Sequence, residues 1–141
     1  MNTTFSVSDV RMLNPLTLAF MGDGVYELLV REYLIGRHGS LPAGKLHTLA
    51  VSLVRAGAQA EAYGVVEPLL TEQEADIYRR GRNANGVTVP KSARPADYRS
   101  ATGLEALFGW LHLTHQQERA RFLFSQIVAE VETLEADETS V

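Results

Sequence analysis

The 141-residue sequence predicts an all-α protein. Three observations carry that prediction. Apolar residues recur at three- and four-residue spacing over several long stretches, helix start and stop signals bound those stretches, and no segment shows the strict alternation of a strand. The length suits one hydrophobic core, because two independent cores would each be near the size where stability becomes marginal. A hydrophobic content of 45% favours a packed interior over a disordered chain.

Asn14-Pro15 opens the first long helix, with Asn as cap and Pro at the first helical position, and Gly36 is a plausible stop. Leu16, Phe20, Val30, Tyr33 and Leu34 give it helical spacing, although Gly22-Asp23-Gly24 interrupts the pattern. Mid-helix glycines disfavour the helix by about 1 kcal/mol each relative to alanine, so these two are expected to serve close packing or a site. A turn at His38-Gly39 is followed by a restart at Ser40 and Pro42, and one helix is expected from there to about Tyr63. Thr71-Glu72-Gln73-Glu74 matches a capping box and starts a helix that ends in Tyr78-Arg79-Arg80-Gly81. Asn83 to Ala96, with Asn85, Gly86, Pro90 and Pro95, reads as one long exposed loop, and such loops are often functional. Helical spacing resumes near Asp97 and runs through Leu104, Leu107, Phe108 and Leu111 to about Thr114. Thr114 is expected to cap the last helix, which carries Phe122, Leu123, Ile127, Val131 and Leu134. The expected organisation is a domain over 1–135 and an acidic, fraying C-terminal tail over 136–141.

Composition excludes several classes. Without cysteine there is neither a disulfide framework nor a thiolate zinc site. The apolar runs are far shorter than a bilayer span and no early one resembles a secretory signal, so the expected location is cytoplasmic, with no membrane partner. The net charge of −4 disfavours phosphate binding only on average. Glu130, Glu132, Glu135, Asp137 and Glu138 hold five of the 17 acids, whereas Arg79 to Arg99 is a basic strip broken only by Asp97.

Asp23 and Glu105 stand out because small and apolar residues surround both: Gly22-Asp23-Gly24 and Gly103-Leu104-Glu105-Ala106-Leu107. Buried carboxylates need partners. If the two helices cross at these stretches, the acids can converge on one hard cation, and magnesium accepts one or two carboxylates plus waters. The pattern equally allows two structural acids bonded to backbone or arginine. Glu27 could extend the site or pair with Arg31, four residues on. His112 and His115 have a spacing that could bind metal, but a helix junction is expected between them and no His-Asp pair accompanies them.

Residues 14–31, from Asn14 through Gly22-Asp23-Gly24 to Arg31, resemble the first signature of the ribonuclease III family, and residues 98–113, with Gly103-Leu104-Glu105-Ala106-Leu107, resemble its second. With Arg79-Arg80-Gly81-Arg82-Asn83-Ala84 and Val89-Pro90-Lys91, the chain is similar to the Mini-ribonuclease III group, which lacks a double-stranded RNA-binding domain. The resemblance implies a dimeric, ribonuclease III-like helical endonuclease domain. It implies Mg²⁺ held by Asp23 and Glu105 as catalytic residues, and hydrolysis of double-stranded RNA to 5′-phosphate and 3′-hydroxyl ends. The implied substrate is a ribosomal RNA precursor in maturation of the large subunit (23S) RNA, with a ribosomal protein as a further candidate partner that presents it. Arg79, Arg80, Arg82, Asn83, Lys91, Arg94 and Arg99 are the candidates for holding RNA, and Phe20 matches the aromatic that enters the partner subunit of a homodimer. Ala19 and Thr102 stand where the ordinary family has two further carboxylates, which leaves the number of ions open. The competing classes are a non-catalytic helical RNA-binding or ribosome-associated domain and a helical phosphohydrolase of small nucleotides.

Overall fold

A computed structural model describes residues 5–139. The first four residues, and Ser140 and Val141 of the expected tail, lie outside the described residues. The described chain is helical: α1 Val7–Arg11, α2 Pro15–His38, α3 Ala43–Val54, α4 Ala56–Val66, a 3-10 turn Glu67–Leu69, α5 Glu72–Arg82, α6 Pro95–Leu113 and α7 Gln117–Thr139. No strand occurs among the described residues, and no helix among them is long and apolar enough to cross a membrane.

Helix α6 is the axis of the fold. It packs chiefly against α2, α5 and α4, and from Ala101 to Leu111 only Glu105 escapes burial. A helix apolar on every side must be enclosed by others, and Leu104, Leu107, Phe108 and Leu111 have no exposed surface. Tyr26 meets Phe108 and Phe124 edge-on, at centroid distances of 5.2 and 5.5 Å, which ties α2 to α6 and α7.

Small residues set how closely the helices approach. A Cβ on Gly22 would collide with the Glu105 carbonyl, and one on Gly109 with the Leu18 carbonyl, so α2 and α6 touch backbone to backbone. Gly81 meets Gly103 at the α5–α6 crossing in the same way, where an added Cβ would lie 3.0 Å from the Gly103 Cα. Of the two mid-helix glycines only Gly22 is explained by packing, since Gly24 faces open space.

Side-chain caps open α1, α2 and α5. The Asn14 side chain accepts from the Leu16 N–H at 2.8 Å, and the Thr71/Glu74 capping box forms as the sequence predicts. The first long helix runs past Gly36 to Gly39, whose φ of 64° lies in the region that favours glycine. Helix α1 was not foreseen. It is a five-residue turn held by a Ser6/Asp9 capping box, too short to show a period.

Two further departures have local causes. The single helix expected from Pro42 to Tyr63 is two, because Arg55 is extended (φ −59°, ψ 154°) and redirects the chain. Thr114 does not cap α7: its hydroxyl donates back to the Trp110 carbonyl at 2.7 Å and closes α6. His115 then turns the chain at φ 60°, and the Gln116 carbonyl accepts the first bond of α7. Helix α7 runs on through 136–139. One turn earlier, Glu132 and Glu135 bind Arg37 at 3.1 and 2.8 Å, which joins the end of α2 to α7.

Candidate metal centre and nucleic-acid face

The glycine contact between α2 and α6 brings the two singled-out acids together. Asp23 follows Gly22, and Glu105 supplies the carbonyl that Gly22 touches. Asp23 is exposed and Glu105 half-buried, so the pair has one wet and one dry member. Burial first, then the hydrogen bond and like charge of Asp23, push the Glu105 carboxyl up to about 8. The Gln59 amide on α4 pulls it the other way. Tyr26 also adjoins the site: burial, then the Glu105 charge, raise its hydroxyl well above the ordinary value.

Two interacting acids, one of them driven to keep its proton, form a site short of positive charge. A divalent cation corrects that deficit, and an oxygen-only donor set suits magnesium rather than a softer metal. Asp23 and Glu105 therefore fit such an ion, with water filling the rest of its shell. The neighbouring positions add no carboxylate: Ala19 is apolar and buried, and the Thr102 hydroxyl, which donates to the Tyr98 carbonyl at 2.9 Å, is uncharged. Glu27 binds Arg31 at 2.9 Å instead. Among the described residues no group of three or more His, Cys, Asp or Glu could hold a metal.

The basic strip divides into committed and uncommitted side chains. Arg80 is half-buried and donates to the carbonyls of Arg11 and Leu13 at 3.1 and 3.2 Å, so it clamps the α1–α2 junction. Arg79 is exposed, 3.7 Å from Asp76. Arg82 donates to the Asn83 side chain at 3.2 Å and lies 5.8 Å from the centre of the Tyr78 ring, which stacks on Tyr63. Lys91, Arg94 and Arg99 are exposed and have no ion pair among the described residues. Because Gly81 crosses α6 at Gly103, the basic end of α5 lies against the face of α6 that carries Thr102, Gly103 and Ala106.

Phe20, on α2 just before Asp23, is 83% exposed, so it is not a core residue. Leu28 and Ile35 continue an exposed apolar stripe along the same helix.

Sequence reasoning missed Gln59. It is 2% exposed within an alanine-rich run, Ala56-Gly57-Ala58-Gln59-Ala60, where a lone Gln reads as a solvated position. The only available signal was a polar side chain at an otherwise small, apolar face.

The chain matches the Ribonuclease III domain family over residues 16–116. It is 52% identical over 107 residues to the Mini-ribonuclease 3 of Symbiobacterium thermophilum, covering 76% of this chain and 82% of that one. It is 43% identical over 126 residues to the Mini-ribonuclease 3 of Streptococcus pneumoniae, covering 88% of this chain and 98% of that one. A crystal structure of a Fusobacterium nucleatum protein superposes with a TM-score of 0.78 at 30% identity, covering 88% of this chain and 98% of the other.

Proposed function

The chain belongs to the ribonuclease III family, and from that premise we propose that it is a magnesium-dependent endoribonuclease of double-stranded RNA, with Asp23 and Glu105 holding the ion. The convergence of these two carboxylates at the α2–α6 contact, with Glu105 pushed up to about 8, supports this reading above any other observation. Bound there, magnesium would supply an activated water and charge stabilisation at phosphorus.

The chain's own residues fix the rest. Glu105, set in the buried helix, holds its carboxylate rigidly against α2, and exposed Asp23 presents its own toward solvent, from which a phosphodiester can approach. Hydrolysis would leave 5′-phosphate and 3′-hydroxyl ends. Arg79, Arg82, Asn83, Lys91, Arg94 and Arg99 would hold the backbone of an A-form duplex, whose wide minor groove displays phosphates and 2′-hydroxyls. Arg80 would act indirectly, by fixing the α1–α2 junction. Exposed Phe20 would enter a second copy of the chain, so that a homodimer offers one site to each strand. The physiological substrate we propose is a precursor of large-subunit ribosomal RNA.

The test is a long RNA duplex with Mg²⁺, using the wild type, Asp23→Asn and Glu105→Gln. Both variants should lose cleavage and keep duplex binding. Wild-type protein that binds but does not cut with any divalent ion would make this a non-catalytic RNA-binding domain.

A further inference from the structure

Gln59 has a buried oxygen that no described residue satisfies. The break at Arg55 ends α3 and leaves the Val54 carbonyl without its helical donor, and the Gln59 Nε2 returns to it at 3.1 Å. That bond fixes which end of the amide is which, since turning it over would set two oxygens face to face. The Oε1 is then left fully buried with no hydrogen-bond partner. An orphaned buried acceptor is unfavourable, and native structures seldom retain one without a reason. The same amide adjoins the Glu105 carboxylate, where its remaining N–H favours the ionised form.

We propose that Gln59 is the uncharged third member of the metal centre: it orients Glu105 through its free N–H and accepts, at Oε1, a hydrogen from the water shell of the bound ion. This rests on the reading of Asp23 and Glu105 as magnesium ligands. The chemistry is consistent with the donor count. With two carboxylates the ion keeps several waters, and each water needs acceptors that the apolar Ala19 side chain does not provide. Gln59 is thus a positioning residue, acting through Glu105 and through water.

Gln59→Met removes both functions while conserving length and volume. Magnesium binding without RNA, followed by calorimetry, should weaken about 10-fold, as is usual when a partner of a metal ligand is lost. Cleavage should fall in kcat with little change in the KM for duplex, and high magnesium should recover it, which a merely structural residue would not show. Should the variant fail to fold, the wild type carries the test: the Gln59 side-chain amide signals in a ¹⁵N spectrum should shift with magnesium at the midpoint seen by calorimetry. Equal magnesium affinity in Gln59→Met, or amide signals that ignore the ion, overturns the role of Gln59 alone. A wild type that binds no magnesium overturns the metal centre and this inference with it.

Discussion

At the scale of single residues, position in the packing outranks chemical type. Gly22 and Gly109 face backbone atoms of the opposite helix, so no side chain can be accommodated without separating α2 from α6. Gly22→Ala and Gly109→Ala should each destabilise the fold by about 3 kcal/mol, the upper end for overpacking, whereas Gly24→Ala should be neutral or stabilising; urea denaturation separates the three. Glu74 gives the electrostatic counterpart. It is 3% exposed, and Arg119 grips both its oxygens, at 2.8 and 2.9 Å, while the Thr71 N–H adds a third bond. Burial alone would raise its carboxyl, but these donors outweigh burial and hold it below the ordinary value. The folded state therefore binds this proton less readily than the unfolded chain, and the stabilisation is present above the ordinary carboxylate range and lost as pH falls through the folded value. Glu74→Gln should lower stability by about 3 kcal/mol at neutral pH and flatten the acid limb of a plot of melting temperature against pH.

At the scale of elements, the basic strip does two jobs that sequence cannot separate. Arg80→Ala should lower stability by about 2 kcal/mol, because its bonds to the carbonyls of Arg11 and Leu13 disappear. Neutralising Lys91, Arg94 and Arg99 should leave the melting temperature unchanged and reduce the salt slope of duplex binding by about 0.9 for each phosphate no longer neutralised. An unchanged slope would remove these three from the RNA face. The arginines and the lysine of the strip share charge and spacing, and only a tertiary partner distinguishes Arg80. The same limit explains what else was and was not legible. Periodicity and caps revealed α2, α5, α6 and α7, because each has an apolar face long enough to repeat. The division at Arg55 left no trace, since alanines suited to helix follow it directly. Asp23 and Glu105 were visible as acids in small-residue surroundings, but their contact depends on a helix crossing, and Gln59 reaches the site from a third helix.

At the scale of the whole molecule, the exposed stripe of Phe20, Leu28 and Ile35 on α2 is costly in an isolated chain. Phe20→Asp should shift sedimentation from dimer to monomer without lowering the intrinsic stability of the protomer, because the ring is so little covered within it. A Phe20→Asp protein that still sediments as a dimer would place the interface elsewhere. The backbone contact between Gly22 and Glu105 bears on heat resistance as well as on assembly. Two helices resting directly on each other's main chains leave no compressible layer of side chains between them, so the gap between the two acids cannot widen by small degrees. Gradual warming should therefore leave ion affinity nearly constant until the cooperative transition, where the centre vanishes together with the domain.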